Sequence, residues 1–379
     1  MRLDELPDPI FIARHHALAR LVDELSCEPI IAVDTEANGL YAYREQVCLI
    51  QFSTPRADYL VDTLALDDLS PLASIFENPE IEKVFHASEY DLIILHQDFG
   101  FSVPRLFDTM IAARILGWNA VGLGSILGDR FGIHVNKKYQ RANWGQRPIP
   151  KEMMTYAQID THFLITLRGQ MKAELKESGR WPLAIEDFRR CSKVNSLNHR
   201  NDNGGCFRIK GAHDLKPQQA AVLNELCKFR DRKARSLDRP LFKVVNDKAL
   251  LQIAEFAPET LQELGQVNGI SKRQANWLGE GMLASVRRGL VAKPVAPVRK
   301  PRPSNQYLDR VELLRNWRIR KARGLGVQSD VVLPKDLLYA LAEQNPETKA
   351  DLAPIMESVP WRLGEFGDEI LYLLALSKK

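Results

Sequence analysis

Four acidic residues and one tyrosine are the residues of this chain whose types and spacing best fit a chemical reaction. Asp34 and Glu36 lie in IIAVDTEANGL, Asp91 lies in VFHASEYDLIIL, and Tyr156 precedes Asp160 by four positions. Each acid ends or interrupts an apolar stretch, where an unpaired carboxylate is costly to bury. A pair of bound divalent cations would remove that cost and would supply a chemistry, the hydrolysis of phosphodiesters.

The spacing of these residues indicates how they would be brought together. Asp34 and Glu36 are two positions apart, so on a β-strand both side chains leave the same face. Tyr156 and Asp160 are four apart, which makes them neighbours on one face of a helix. Mg²⁺ and Mn²⁺ prefer such hard oxygen ligands. The pattern therefore predicts a centre with two metal ions, beside which a phenol could orient the attacking water.

A sheet and several helices must position these side chains. Residues 30–61 contain three stretches rich in β-branched residues, which are typical of strands at hairpin-like distances. The segment IEKVFH predicts a further strand, and SEYDLIILHQDFG predicts a helix that ends at Gly100. Residues 109–178 predict helices, the last from Pro150 to about Ser178. Strands followed by helices on the faces of a sheet are typical of an α/β or α+β domain.

Composition and charge narrow the class of protein. The chain has 379 residues and a net charge of +4, which is too long for one ordinary core and favours two or three domains. Residues 1–100 contain 6 Lys/Arg and 19 Asp/Glu, whereas residues 101–379 contain 46 and 29. A basic majority attached to an acidic lobe suits a polyanionic substrate that is delivered to a metal centre.

Membrane insertion and export do not fit the sequence. No apolar run approaches the roughly 18 residues of a membrane span. The N-terminus carries acids where a signal peptide would be basic. The five cysteines are scattered and form no Cys-x-x-Cys pair, so we expect reduced thiols rather than a disulfide framework or a zinc cluster. We therefore expect a cytoplasmic protein that does not bind membranes.

The C-terminal part of the chain contains two copies of one helical module. The segment FRDRKAR at 229–235 returns 88 residues later as WRIRKAR at 317–323, and the Pro-Glu-Thr at 258–260 returns in the same register at 346–348. Agreement without gaps over this span favours a repeat. Two copies are fewer than a solenoid needs, so we expect two separate small domains. The Pro-rich, basic residues 292–306 have the composition of a semi-extended linker.

Taken together, these motifs resemble the ribonuclease D family, in the tyrosine subclass of the DEDD exonuclease superfamily. The first motif matches Asp34 to Glu36, the second matches Phe85 through Asp91, and the third matches Tyr156 through Asp160. The helical copies look like the HRDC domain shared by helicases and ribonuclease D. The resemblance implies an α/β ribonuclease H-like exonuclease domain, a mixed central sheet with flanking helices, followed by two small all-α helical bundles. The expected domains are 1–200 for the exonuclease, 211–291 and 307–379 for the HRDC-like bundles, and 292–306 for the linker.

The resemblance also implies an activity. It implies a metal-dependent 3′→5′ exoribonuclease that releases nucleoside 5′-monophosphates, uses two Mg²⁺ or Mn²⁺ ions, and trims transfer RNA precursors and other small structured RNAs. Asp34, Glu36 and Asp160 would hold the first ion, and Asp34 would also contact the second. Asp91 would act largely through water, and Tyr156 would position the nucleophilic water. The family's usual state implies a monomer, and the sequence indicates no obligate protein partner.

Further residues are candidates for substrate contact, each with an ordinary structural alternative. Leu40 could wedge against the terminal base or be a core leucine, and His86 could touch a phosphate or make a structural hydrogen bond. The loop before the third motif mixes basic and aromatic residues, which suits phosphate contact and base stacking but also fits a solvated loop. Its candidates are Lys137, Lys138, Arg141, Trp144 and Arg147.

The sequence departs from the family pattern in two places, and the first of them leaves another substrate open. Ala37-Asn38-Gly39-Leu40 follows Glu36 where many ribonuclease D members have an aromatic residue, and it looks more like related DNA and RNA exonucleases. A single-strand DNA exonuclease of repair is therefore an alternative. Thr161-His162 after the third motif has no interpretation from the sequence. An inert nucleic-acid-binding protein is disfavoured because all four acids and the tyrosine are present.

Overall fold

A computed structural model describes residues 6–193, 202–295 and 303–376. These residues form two compact units: residues 6–37, 47–193 and 303–376 make up the first, and residues 38–46 and 202–295 make up the second. Among the described residues no helix combines the length and apolar composition that a membrane crossing requires. The two helical copies therefore belong to different units.

The first unit is built on a six-stranded mixed sheet. Its order is β1-β4-β3-β2-β5-β6, in which β4, β3 and β2 pair antiparallel and the outer pairs are parallel. The strands are β1 (Ile10–Ile12), β2 (Ile30–Ala37), β3 (Val47–Ser53), β4 (Asp58–Asp62), β5 (Glu82–Phe85) and β6 (Leu106–Asp108). β3, β4 and β5 are buried along their whole length. Strands buried on both faces need helices on both sides of the sheet.

Eight helices accompany this sheet in the described part of the exonuclease region. They are α1 (His15–Ser26), α2 (Ala73–Phe76), α3 (Glu89–Phe99), α4 (Thr109–Leu116), α5 (Leu123–Phe131), α6 (Lys151–His162), α7 (Leu164–Glu177) and α8 (Trp181–Ser192). The helix expected to end at Gly100 does so, and Gly100 has a φ of 77°, a conformation that glycine adopts without steric cost. The expected helix from Pro150 to Ser178 is instead two helices, which meet at Phe163. The expected mixed sheet with flanking helices is confirmed.

The second unit contains the first helical copy. Its helices are α9 (Pro217–Ser236), α10 (Leu241–Val244), α11 (Asp247–Phe256), α12 (Leu261–Leu264) and α13 (Lys272–Val291). Their apolar faces enclose a separate core. Cys206 and Cys227 are joined with an Sγ–Sγ distance of 2.07 Å, so the expectation that all five cysteines are reduced thiols is wrong for this pair.

The second helical copy repeats the first element by element. Its helices are α14 (Asn305–Leu325), α15 (Ser329–Val332), α16 (Lys335–Gln344), α17 (Lys349–Ile355) and α18 (Pro360–Leu376). Thr260 caps α12 by accepting a hydrogen bond from a backbone amide, and Thr348 does the same for α17. Ala257 and Asn345 both follow a helix with positive φ, at 48° and 46°. The two small all-α domains are therefore confirmed, while the exact boundaries stay a prediction, and the linker at 292–306 lies partly outside the described residues.

Candidate active site

One face of the interior strand β2, with helix α6 across it, brings three of the predicted carboxylates together. Asp34 and Glu36 leave the same face of β2, and α6 crosses that face with Asp160. One carboxylate oxygen from each of the three residues lies within 4.8 Å of the others. Oxygen atoms at such distances can share one divalent cation as ligands.

Asp91 approaches the same centre from the first turn of α3. It is 7% exposed, and its carboxylate accepts a hydrogen bond from the Thr35 hydroxyl, which lies between the two acids of the first motif. Its negative charge raises the pKa of Asp34, Glu36 and Asp160. Asp91 is therefore electrostatically part of the centre, although it is not one of the three residues whose oxygens converge.

The surroundings of the carboxylates at this centre disfavour their ionised form. Burial, followed by repulsion from Asp91, Asp160 and Glu36, raises the pKa of Asp34 well above its usual value. The pKa of Glu36 is also raised well above its usual value, by burial and then by Asp160 and Asp91. Burial raises the pKa of Asp91 and of Asp160 to about 7 each.

A cation would reverse this electrostatic penalty. The main charged neighbours that shift these four pKa values are themselves acidic. Mg²⁺ and Mn²⁺ prefer hard oxygen ligands such as carboxylates, and their charge would offset the repulsion among these acids. The residues therefore fit a divalent metal, which is the use that the acidic cluster indicates.

Tyr156 stands one helical turn before Asp160, as its spacing predicts. Its ring lies beside Trp144, with 6.2 Å between the centroids, and beside Tyr139 at 6.1 Å. Burial and then the charges of Asp160 and Glu36 raise the pKa of Tyr156 above its usual value, so the phenol stays neutral. A hydrogen bond from Tyr156 lowers the pKa of Asp160 against the effect of burial. A neutral hydroxyl at this position can both donate and accept a hydrogen bond.

A buried polar network fixes α6 on the sheet, and it explains the two residues after the third motif. Asp58 on β4 accepts hydrogen bonds from Ser53 at 2.6 Å and Gln158 at 2.6 Å, and it contacts Nδ1 of His162 at 2.8 Å. The Ser53 hydroxyl also lies 2.7 Å from that of Thr161. Burial alone would raise the pKa of Asp58, but the hydrogen bonds from His162, Ser53 and Gln158 outweigh it and lower the pKa.

Thr161 and His162 are therefore positioning residues for the helix that carries Tyr156 and Asp160. The sequence did contain a signal for this network, because Asp58 opens a strand whose interior is apolar and His162 lies two positions after Asp160. The pairing itself joins positions 104 residues apart. Only the fold shows that these positions meet.

The loop before α6 divides into a structural and an exposed part. Trp144 is 1% exposed, so no face of its ring is open to a base. Arg147 donates to both carboxylate oxygens of Asp62, at 2.6 and 2.7 Å, and to the carbonyl of Cys48 at 2.8 Å. Lys137, Lys138 and Arg141 lie exposed on a 3₁₀ turn. The basic side chains of this turn can meet a phosphate, whereas Trp144 and Arg147 hold the loop on the sheet.

The structure gives His86 a hydrogen-bonding partner and leaves Leu40 exposed. Nδ1 of His86 lies 2.9 Å from the Thr109 hydroxyl, and burial lowers the pKa of this histidine. This contact is the structural hydrogen bond that the sequence left as an alternative. Leu40 is 42% exposed and belongs to the second unit with residues 38–46. Contact of either residue with substrate stays a prediction.

A sheet that carries Asp-x-Glu, crossed by a helix that carries Tyr-x-x-x-Asp, defines a metal-dependent 3′→5′ exonuclease with the ribonuclease H-like fold. The family model described as "3'-5' exonuclease" matches residues 9–176. The HRDC domain matches twice, at residues 219–286 and 308–374. The two matches to the HRDC domain coincide with the two copies that the 88-residue repeat predicts.

The chain belongs to the ribonuclease D family, and it is a 3′→5′ exoribonuclease. It is 30% identical to a ribonuclease D from Gluconacetobacter diazotrophicus over 376 residues, which cover 97% of this chain and 93% of the relative. It is 31% identical to the exosome complex exonuclease RRP6 of Saccharomyces cerevisiae over 70% of this chain and 38% of that protein. The crystal structure of Escherichia coli RNase D matches with a TM-score of 0.71 and 25% identity, over 97% of this chain and 99% of that one.

Proposed function

We propose that this exoribonuclease trims the 3′ ends of structured RNAs, transfer RNA precursors among them, with two divalent cations at the carboxylate centre. The observation that carries the proposal is the convergence of Asp34, Glu36 and Asp160 within 4.8 Å, with Asp91 and Tyr156 beside them. The E. coli neighbour is described as an exoribonuclease involved in structured RNA processing, which supports the same substrate class here.

The four carboxylates would divide the work of metal binding. Asp34, Glu36 and Asp160 would hold the first cation, because their oxygens converge. Asp34 would also contact the second cation, with Asp91 acting through water. Bound divalent cations lower the pKa of an attacking water and stabilise the charge that develops on the leaving 3′ oxygen. Repulsion among the carboxylates then becomes a source of affinity for the cations.

Tyr156 would orient the attacking water. Its hydroxyl is neutral because burial and the adjacent carboxylates raise its pKa. It can therefore accept one hydrogen bond and donate another, which fixes a water molecule in line with the scissile phosphorus. The polar network around Asp58 keeps Tyr156 and Asp160 on the face of the sheet.

Basic side chains outside the centre would bind the RNA backbone. Lys137, Lys138 and Arg141 lie exposed on one turn. Phosphate contacts of this kind position a substrate without reading its sequence. The exposed basic residues of the helical copies, among them Arg232 and Arg320, would make further contacts with RNA phosphates.

A time course on a 5′-labelled transfer RNA precursor with a 3′ trailer tests the proposal. Reactions contain Mg²⁺, Mn²⁺ or EDTA, and a DNA strand of the same sequence runs beside the RNA. We expect a ladder that shortens from the 3′ end, needs the metal, and forms faster on RNA. No product at any metal concentration would contradict the proposed reaction.

The DNA strand tests the alternative that the sequence left open. Ala37 to Leu40 resemble the corresponding residues of related DNA and RNA exonucleases. Faster degradation of DNA would therefore assign the enzyme to single-strand DNA repair. A cytoplasmic location and a monomeric state stay predictions, which fractionation and sedimentation measurements test.

A further inference from the structure

The side chain of Gln51 occupies the centre of the sheet face that carries the metal ligands. On β3 it lies directly opposite Asp34 of β2 on one side and Leu60 of β4 on the other. Residues opposite each other in an antiparallel pair point to the same face, with their Cβ atoms about 4.5–5.5 Å apart. Gln51 is 0% exposed. Its carboxamide is therefore enclosed between the sheet and α6, next to the Asp34 carboxylate.

Gln51 differs from its polar neighbours on this face because its amide has no partner. Ser53, two residues along β3, contacts Asp58 and Thr161, and Asp62 on β4 accepts hydrogen bonds from Arg147. Neither Oε1 nor Nε2 of Gln51 has a hydrogen-bond partner among the described residues. A buried amide without partners lowers the stability of a fold. Packing therefore does not explain why a glutamine, rather than an apolar residue, lies beside the metal ligands.

The two residues directly opposite Gln51 offer its amide one oxygen-bearing side chain. Leu60 is apolar, and the next residues of β3 on this face, Leu49 and Ser53, are about 6.8 Å away along the strand. Asp34 is the adjacent cross-strand neighbour with oxygen atoms. An amide N–H that donates to an ionised carboxylate makes one of the stronger hydrogen bonds available inside a protein.

We propose that Gln51 is a positioning residue for the metal centre: its amide, which has no partner among the described residues, donates from Nε2 to the Asp34 carboxylate when the cation binds and holds that carboxylate in its ligating orientation. A hydrogen bond to one carboxylate oxygen would restrict rotation of the carboxylate and so fix how it faces the cations. Partners of this kind orient metal ligands, and their loss typically lowers metal affinity about 10- to 100-fold. The inference rests on the proposed metal function and adds to it a residue that no sequence motif includes.

Replacement of Gln51 by an apolar side chain of similar length separates this role from packing. Gln51→Met removes the amide and keeps the volume, and Leu60→Met is the matched control on the facing strand. Full-length proteins are freed of metal with EDTA, and Mn²⁺ binding is measured by titration calorimetry. Thermal unfolding is measured in parallel without metal.

We expect Gln51→Met to bind Mn²⁺ about 10-fold more weakly than the wild type, with an unchanged or higher Tm in the absence of metal because a buried unpartnered amide is gone. Leu60→Met should bind Mn²⁺ as the wild type does. Equal Mn²⁺ affinity of wild type and Gln51→Met would overturn the role of Gln51 alone, whereas a wild type that bound no Mn²⁺ would refute the proposed metal function.

A second apolar variant, Gln51→Leu, covers the possibility that methionine does not fit. Weak Mn²⁺ binding by a folded Gln51→Leu protein would support the proposal in the same way. Unfolding of both variants in metal-free buffer would show that Gln51 serves packing, and the proposal would be wrong.

Discussion

The first unit buries acidic side chains in two kinds of place, and their surroundings are opposite. At the active site, Asp34 and its neighbours face one another, and their mutual repulsion adds to burial in raising their pKa. Elsewhere each buried acid has a basic or hydrogen-bonding partner: Asp58 has His162, and Asp62 has Arg147. The protein supplies its own partner where an acid is structural. At the active site, Thr35 and Tyr156 supply hydrogen bonds but the described residues supply no basic partner, so the acids are available for a metal ion.

Glu186 is the buried acid that ties the second helical copy to the exonuclease region. It lies on α8, and its carboxylate contacts Arg362 of α18 at 2.7 Å. The same carboxylate accepts hydrogen bonds from the backbone amides of Trp361 and Arg362 at the start of that helix. In the first copy, Ser271 provides the corresponding cap from within its own module. An acid from another domain thus replaces a local cap.

The 88-residue register shows how one substitution creates this contact. Gln274 of the first copy occupies the position of Arg362 in the second. Gln274 donates to the carbonyl of Val244, and Arg362 donates to the equivalent carbonyl of Val332. The arginine has additional N–H groups, which reach Glu186 and Asp187. The longer, charged side chain therefore keeps the internal hydrogen bond and adds an attachment between domains.

The largest difference between the two kinds of acid should appear when each is neutralised. Asp34→Asn should lower the rate of hydrolysis about 10³-fold or more, because loss of a metal ligand removes several kcal/mol of transition-state stabilisation. It should not destabilise the metal-free protein, because one of several repelling charges is removed. Single-turnover assays with saturating Mn²⁺ and denaturant unfolding in EDTA measure the two effects.

Asp62→Asn is the matched control, because Asp62 lies on the same sheet face and is paired with Arg147. We expect lower stability in EDTA and a rate within about tenfold of the wild type. A comparable loss of activity in both variants, with equal loss of stability, would remove the distinction between the two groups of acids.

The next largest effect is expected at the paired acid Glu186. Burial raises the pKa of Glu186 and Arg362 is the largest opposing influence, so Arg362→Gln would leave only the backbone amides of residues 361 and 362 to offset the desolvation of the acid. Breaking such a buried pair costs about 3–5 kcal/mol. Hydrogen exchange of the backbone amides in α8 and α18 should report an opening free energy lower by this amount.

A double-mutant cycle tests whether Glu186 and Arg362 act as a pair. Adding Glu186→Gln to Arg362→Gln removes the buried charge and should recover part of the loss. The matched change Gln274→Met in the first copy should leave exchange in α8 and α18 as it is in the wild type. If the two single changes were simply additive, Glu186 and Arg362 would not form the coupled pair that their contact indicates.

A change at Tyr156 should lower the rate of hydrolysis less than a change at Asp34, because it leaves the metal ligands in place. Tyr156→Phe removes the hydroxyl but keeps the ring that packs against Trp144. We expect the rate of hydrolysis to fall about 10²-fold, while Mn²⁺ affinity changes little, because the carboxylates are intact. Rate measurements and Mn²⁺ titration on the same preparation separate the two quantities. A large fall in Mn²⁺ affinity would identify Tyr156 as part of the metal-binding set instead.

The sequence was sufficient for the acids of the active site because strand and helix periodicities place them. A spacing of two puts Asp34 and Glu36 on one face of β2, and a spacing of four puts Tyr156 and Asp160 on one face of α6. The family resemblance implied that these faces meet, and the fold brings Asp34, Glu36 and Asp160 together. The repeat likewise predicted two helical domains from residue identities alone. Local periodicity is enough where a site is assembled from a few regular elements.

The sequence was insufficient where a side chain's role depends on a distant partner. Arg147 looked like a phosphate ligand until Asp62, 85 residues away, proved to accept its hydrogen bonds. Arg230 and Arg318, in the repeated basic segments, donate to carbonyls of their own modules. The strand Ile10–Ile12 has three residues, which is too short for an alternating pattern to be read.

The final expected effect is a dependence of stability on pH to which the unpaired acids contribute most. Asp91 and Asp160 have pKa values of about 7 in the folded protein, raised by burial from a usual value of 3.8. Between these values the folded state keeps protons that the unfolded state releases, so stability falls as pH rises and levels off above about pH 7. The lowered pKa of Asp58 gives a contribution that is constant in this range and is lost only in acid.

Unfolding in EDTA should therefore become easier from pH 5.5 to 7.5, by about 2 kcal/mol for each of these two groups. In Asp160→Asn the change should be smaller, because one of the titrating groups is absent and the repulsion on the others is reduced. Saturating Mn²⁺ should reverse the sign, since metal binding requires the ionised carboxylates and releases their protons. If the free energy of unfolding changed equally with pH in wild type and Asp160→Asn, the pH dependence would arise from other groups. The distinction between unpaired and paired acids would then be wrong.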